Sequence, residues 1–240
     1  MVSLVGRGGA PALGTALEQE DKMNIAMDPY SEQCGIRRVA VVVAHPDDET
    51  LWAGGLLLSH PAWSPFIVTL CRGKDPDRAP KFRSALDCLN AQGRMGDLDD
   101  GPEQVPLPDN LVRDTILELL PGRDYDLLLT HSPSGEYTSH RRHEEVSQAV
   151  LGLWRDGILR VKKLWQFAYE DGGGTHRPRP RMSASLRVPL SDALWMRKYD
   201  IITRVYGFSP VSWEAQVIPR TEAFHCFSHQ AATPPSVAHV

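Results

Sequence analysis

An apolar run that ends abruptly in a histidine and three consecutive acids constrains this chain more than any other feature. The run reads Val-Val-Val-Ala at residues 41–44 and is followed by His45, Pro46, Asp47, Asp48 and Glu49. Uninterrupted β-branched residues favour a strand buried on both faces, which is typical of a parallel sheet. Open α/β sheets bind ligands at the carboxyl ends of their strands, so the polar residues after this run predict a functional site.

A second polar cluster follows another apolar run that closes near residue 130. His140 and His143 are three residues apart on a predicted helix, so they project from one face. Together with His45 and Asp48, this pair can complete a catalytic zinc site of two histidines and one carboxylate with an open position. The remaining Asp47 could accept a proton from water. The ordinary alternatives are a surface histidine pair and an acid that merely stabilises the first turn of a helix.

Composition limits the class of protein. The 240 residues are 42% hydrophobic with a net charge of −4, which fits one globular domain and gives no reason to expect nucleic acid or an anionic membrane as partner. The four cysteines are scattered, so they favour a reducing, cytoplasmic compartment over a disulfide framework. No apolar run reaches the roughly 18 residues that span a bilayer, so no integral membrane segment is expected.

We expect the domain to cover residues 37–230. Residues 1–36 contain a short apolar stretch broken by glycine and proline, which predicts a disordered extension rather than a signal peptide. An alternative expectation is that Met23 or Met27 is the true first residue. Residues 231–240 are small and proline-containing, and they predict a disordered tail.

Strands and helices are predicted to alternate along the chain. The predicted strands are at residues 38–44, 65–71, 125–130, 161–168 and 222–227, and the predicted helices at 49–59, 79–91, 110–120, 139–154 and 191–204. Residues 93–109 are predicted to be a loop with a short strand at 104–107. In the third helix Leu111 is predicted to face inward, and Ser139 to cap the fourth. The alternation predicts an α/β fold with a mostly parallel sheet and helices on both faces.

The string Ala44-His45-Pro46-Asp47-Asp48-Glu49, with His140-Arg141-Arg142-His143 downstream, resembles the LmbE/PIG-L family of zinc-dependent N-deacetylases over roughly residues 38–230. The resemblance implies a Rossmann-like fold. It also implies removal of an N-acetyl group from an N-acetylglucosamine-type sugar, in a glycoconjugate or a small metabolite.

The same resemblance assigns roles to individual residues. The metal ligands would be His45, Asp48 and His143. Asp47 would be the general base, His140 would stabilise the oxyanion or protonate the leaving amine, and Tyr137 would help to polarise the substrate carbonyl. Zn²⁺ is the expected cofactor, although imidazole and carboxylate ligands also accept Fe²⁺.

The second motif departs from the family pattern. The family commonly has His-Pro-Asp-His, whereas Arg141 and Arg142 occupy the middle positions here. An acid that could orient His140 is therefore missing from its usual place, and Glu136 and Glu144 are the candidate substitutes.

Substrate contacts are predicted after the second strand and on a Gly-Pro loop, at Arg72, Lys74, Asp75, His176 and Arg177. Solvated basic loops are the alternative. Trp52 could stack on a sugar ring or lie in the core. His131 could support the site or be a satisfied buried histidine, and Cys71 is expected to be a packing residue.

Other functions remain open at this point. The same metal chemistry could hydrolyse an ester or another amide, and a metal-free relative could act as a binding module. A nucleotide-binding protein is disfavoured, because no GxGxxG follows the first strand and the acids there would repel a pyrophosphate. The sequence names neither the substrate nor the oligomeric state.

Overall fold

A seven-stranded sheet forms the centre of the structure, a computed structural model that describes residues 35–137 and 140–228. The strands are β1 (Arg38–Val43), β2 (Ser64–Cys71), β3 (Gln92–Leu98), β4 (Asp124–Thr130), β5 (Arg160–Phe167), β6 (Tyr169–Glu170), β7 (Arg179–Pro180), β8 (Leu186–Pro189) and β9 (Thr221–Ser228). The sheet order is β3-β2-β1-β4-β5-β9-β8, and β6 pairs with β7 separately. The first five strands pair in parallel, whereas β9 runs antiparallel to β5 and β8.

Helices cover both faces of the sheet. They are α1 (Asp48–Ser59), α2 (Arg78–Cys88), α3 (Asp109–Leu119), α4 (Arg141–Arg155), α5 (Asp192–Asp200), which continues as a π-helical turn (Ile201–Val205), and α6 (Trp213–Val217). Among the described residues no helix is both long and apolar enough to cross a bilayer.

The alternation of side chains along β1 builds two separate cores. Val41 packs with Phe82 of α2 on one face, and Val42 packs with Val146 of α4 on the other. Because successive residues of a strand point to opposite faces, the buried residues 39–43 of β1 are all apolar, and only Arg38 at its start is exposed. The predicted α/β fold, with a mostly parallel sheet between two helical layers, is confirmed.

The region after α2 differs from its prediction. Residues 92–98 form an edge strand rather than the start of a loop, and residues 104–107 form no strand. The strand is not predicted because it contains two glycines, which are uncommon in strands. Both are required by close packing of the backbone: a Cβ on Gly93 would lie 2.4 Å from the Ile67 carbonyl oxygen, and a Cβ on Gly96 would lie 2.7 Å from the Leu70 carbonyl oxygen. Close backbone approach therefore requires residues that normally argue against a strand.

The structure also differs from prediction at the inward face of α3 and at the start of α4. Leu111 is 42% exposed, and Val112, one position later, faces the core. The fourth helix begins at Arg141 with His140 at its N-cap, while Ser139 lies outside the described residues. The predicted extension and tail also lie largely outside them, although Ile36 is buried in the core.

A buried ion pair joins α5 to β9, and its carboxylate also binds the backbone of α1. Lys198 Nζ donates to Glu222 Oε1 at 2.6 Å, and both side chains are fully buried. The Glu222 carboxylate also accepts the backbone N–H groups of Gly55 and Leu56, at 2.8 and 2.7 Å. Glu222 thus contacts the middle of the helix whose first turn carries Asp48.

Replacing Lys198 by methionine is expected to lower the free energy of unfolding by about 3–5 kcal/mol, the typical cost of leaving a buried charge without its partner. Methionine keeps most of the aliphatic stem, so lost packing contributes little. Urea unfolding measures the effect, with Arg197→Met on the exposed neighbour as control. Equal stability of the two variants would contradict a stabilising role for the pair.

Candidate active site

Three candidate ligand atoms converge at the carboxyl ends of β1 and β4. Nδ1 of His45, Nε2 of His143 and Oδ2 of Asp48 lie 3.3 Å from one another in all three pairings. Ligand atoms about 2.0–2.2 Å from a tetrahedral zinc ion are about 3.3–3.6 Å apart. The three atoms therefore fit one face of a zinc tetrahedron, and His45 and Asp48 also line a cavity.

His131 lies beside this triad, but its nitrogens are engaged. Its Nε2 is 3.5 Å from Asp48 Oδ2 and accepts the Ala44 N–H at 3.0 Å, while Nδ1 contacts Glu136 at 2.8 Å. A nitrogen that accepts a backbone hydrogen bond is not free to bind a metal. His131 is thus a buried supporting residue, one of the two roles predicted for it.

Glu136 orients the His143 ring. Its Oε2 contacts Nδ1 of both His143 and His131, at 2.7 and 2.8 Å, and Oε1 accepts the Ser132 N–H. Burial raises the pKa of Glu136, but the two histidines outweigh it and bring the pKa to about 2. A carboxylate on Nδ1 leaves Nε2 as the ligand nitrogen, a common arrangement around zinc.

Asp100 performs the corresponding task for His45. Its Oδ1 lies 3.1 Å from Nε2 of His45. Its Oδ2 accepts a hydrogen bond from Arg72 Nε at 2.9 Å and forms an ion pair with Arg72 Nη2 at 2.7 Å. Although burial raises the pKa of Asp100, the hydrogen bond from His45 lowers it below its usual range. Nothing in the local sequence around Asp100 indicates this role.

Asp47 lies at the rim of the triad in an unusual backbone conformation, with φ of 126°. Its N–H donates to Glu49 Oε2 at 3.0 Å, and Glu49 also accepts from Tyr206 Oη at 2.7 Å. Burial raises the pKa of the Asp47 carboxyl, and the charges of Asp48 and Glu49 raise it further. A strained residue held by a buried network is typical of functional sites.

His140 has a different environment from its prediction. Its ring stacks on His143 at 4.1 Å and meets the edge of His45 at 4.7 Å. Burial, then His143 and His45, lowers its pKa to about 3. Glu136 contacts His131 and His143 instead, and the buried Nδ1 of His140 has no hydrogen-bond partner among the described residues, Glu144 included.

Aromatic residues form one wall of the site. The Tyr137 ring lies 5.6 Å from that of His140 and 4.6 Å from that of Trp213. Burial, with nearby carboxylates, raises the pKa of Tyr137, so its hydroxyl is a proton donor. Trp213 and Glu214, at the start of α6, complete a cavity of about 280 Å³. The local sequence gives no signal for either residue.

The structure divides the predicted substrate residues into two groups. Arg72 lines the cavity. The other four lie outside its lining: Lys74 pairs with Asp97, Asp75 accepts backbone N–H groups at the start of α2, His176 lies near Glu170, and Arg177 contacts Gln216.

Trp52 and Cys71 are core residues, as their ordinary interpretations predict. Both are essentially inaccessible, and Trp52 Nε1 donates to Asp48 Oδ1 at 3.2 Å. Burial raises the pKa of the Cys71 thiol to about 12, which disfavours a thiolate nucleophile.

Comparisons with known proteins identify the fold. No family model matches the sequence. The chain is 24% identical over 127 residues to the uncharacterized protein L374 of Acanthamoeba polyphaga mimivirus, a match that covers 47% of this chain and 56% of that protein. The chain thus spans only about half the length of this curated relative.

Two solved structures share the architecture. An N,N'-diacetylchitobiose deacetylase from Pyrococcus horikoshii is 13% identical, with a TM-score of 0.59 and coverage of 92% of this chain and 94% of that one. The 4-carboxy-2-hydroxymuconate hydratase GalB of Pseudomonas putida is 15% identical, with a TM-score of 0.52 and coverage of 79% and 95%. Because these two proteins are named for different reactions, the shared fold does not determine the reaction. The chain therefore has the fold of these enzymes, and its function must be argued from the site.

Proposed function

We propose that this protein is a metal-dependent N-deacetylase that binds Zn²⁺ through His45, Asp48 and His143. The main support is that three candidate ligand atoms lie 3.3 Å from one another, and that two of their residues, His45 and Asp48, line a cavity. The deacetylase among the structural matches agrees with it. Fe²⁺ would suit the same ligands.

The reaction is amide hydrolysis. When bound, zinc supplies Lewis acidity and lowers the pKa of a coordinated water. Asp47 takes a proton from the attacking water, whose oxygen bonds to the carbonyl carbon. The C–N bond then breaks, and the proton on Asp47 passes to the leaving nitrogen, giving acetate and an amine.

His140 and Tyr137 act on the carbonyl oxygen. Both rings line the cavity next to the candidate ligands. Because two histidines and burial disfavour a further cation at His140, its neutral N–H donates to the oxygen as negative charge develops. Preorganised donors of this kind stabilise the transition state.

The proposed substrate is an N-acetylated sugar, free or in a glycoconjugate. The indole of Trp213 is 40% exposed at the cavity, where it offers an apolar face to a sugar ring. Arg72, Asp100 and Glu214 provide donors and acceptors for hydroxyl groups. A volume of about 280 Å³ suits a single sugar unit in the cavity.

His140→Ala is expected to reduce kcat by about 10²–10³-fold, the usual loss for one oxyanion donor. The zinc content should not change, because His140 is not in the ligand triad. Steady-state kinetics with elemental analysis measures both quantities. His176→Ala, outside the cavity, is the control, and equal kcat values for the two variants would contradict the role of His140.

The proposal is tested by measuring zinc content and acetate release together. Purified protein is analysed for metal and then incubated with N-acetylglucosamine, its conjugates, and matched acyl esters. About one zinc per chain with acetate released from the sugars supports the proposal. If acetate is released from the esters alone, the protein is an esterase and not an N-deacetylase. A protein that takes up no zinc would refute the metal site.

A further inference from the structure

Arg142, one of the two arginines in the middle of the second motif, is almost fully buried, at 1% exposure. Its Nε donates to the Asp99 carbonyl at 2.6 Å, and its Nη2 donates to the Val105 carbonyl at 2.9 Å. Its Nη1 donates to Glu145 Oε2 at 2.6 Å. One guanidinium thus joins the first turn of α4 to both ends of the segment 99–105.

The segment 99–105 carries the carboxylate that orients His45. Asp100 follows directly after Asp99, the residue whose carbonyl Arg142 binds. The Asp100 carboxylate lies 3.1 Å from Nε2 of His45, and it also forms an ion pair with Arg72, with Nη2 at 2.7 Å. Arg142 therefore links the motif of His143 to the residue that fixes His45.

We propose that Arg142 is a positioning residue, which holds the segment 99–105 so that Asp100 presents the His45 imidazole to the metal. This inference rests on the proposed metal site. Arg142 does not line the cavity and so does not touch substrate. It acts through Asp100.

The geometry requires arginine rather than any cation. The three bonds to Asp99, Val105 and Glu145 diverge from Nε, Nη2 and Nη1, and the planar guanidinium fork offers donors in these fixed directions. The single ammonium of a lysine cannot reach all three acceptors. Arg141, the exposed neighbour, is the matched control.

The test is a double-mutant cycle read out as zinc affinity, measured by competition with a chelator. Arg142→Gln is expected to weaken zinc binding by about 10–100-fold, the usual loss when an outer partner of a ligand is removed. Arg141→Gln should leave the affinity unchanged. In an Asp100→Ala background, Arg142→Gln should add no further loss, because the residue through which it acts is already absent.

A second measurement separates positioning from general destabilisation. Hydrogen exchange in the metal-free protein should be faster at residues 99–107 in Arg142→Gln and unchanged in the strands. If the glutamine variant does not fold, Arg142→Lys is used in the same cycle. The inference about Arg142 alone would be overturned in either of two cases. One is that Arg142→Gln weakens zinc binding as much in the Asp100→Ala background as in the wild type, and the other is that Arg142→Gln binds zinc as tightly as the wild type. A wild type without zinc affinity would overturn the proposed function as well.

Discussion

The His143→Ala variant is expected to contain no zinc and to release acetate no faster than the uncatalysed background. Nε2 of His143 is one of three atoms at mutual distances of 3.3 Å. Without it, one histidine and one carboxylate remain, which is fewer than the three protein ligands of catalytic zinc sites. The variant also removes the His143 Nδ1 contact from Oε2 of the buried Glu136.

Elemental analysis and acetate release measure this effect on the same sample. His225→Ala, a histidine replacement on β9 away from the cavity, controls for loss of histidine in general. Circular dichroism establishes that the variant is folded. A folded His143→Ala protein with a full zinc equivalent would show that the metal is bound elsewhere.

The Asp47→Asn variant should keep its zinc and lose about 10²–10⁴-fold in kcat, the usual contribution of a general base. Asparagine has the shape of aspartate but does not accept a proton at neutral pH. It also tolerates a positive φ better than most residues, so the conformation at φ 126° is expected to persist. Alanine would alter both the base and the backbone.

Asp77→Asn is the matched control, because Asp77 is an exposed carboxylate that pairs with Lys81. Its kcat should equal that of the wild type. An Asp47→Asn enzyme with unchanged zinc and more than a tenth of the wild-type kcat would exclude Asp47 as the base.

The sequence predicts those parts of the structure that local pattern determines. β1 is recognisable because both its faces are buried from Val39 onward, so every position after Arg38 is apolar. The turn at His45–Asp48 is recognisable because polar residues follow that run at once. By contrast, β3 is an edge strand with no fully buried residue, and close backbone contacts require glycine at positions 93 and 96. Its sequence therefore resembles that of a loop.

The supporting residues of the site could not be predicted in the same way. Asp100 contacts His45 across 55 positions of sequence, and Arg142 contacts Asp99 across 43. Neither contact leaves a periodic or spaced pattern. Trp213 contacts Tyr137 because α6 lies beside the cavity. Such residues are identified by proximity in three dimensions.

The bonds from Glu222 to the backbone of α1 make the site depend on the far end of the chain. Glu222 lies 167 positions after Gly55 and belongs to β9, the last strand along the part of the chain that the structure describes. A chain shortened before β9 would keep every proposed ligand and catalytic side chain, yet α1 would lose the carboxylate that anchors it. The two sequence motifs alone are therefore not enough to form the site. A fragment of this chain should be expected to bind metal only if it also contains Glu222.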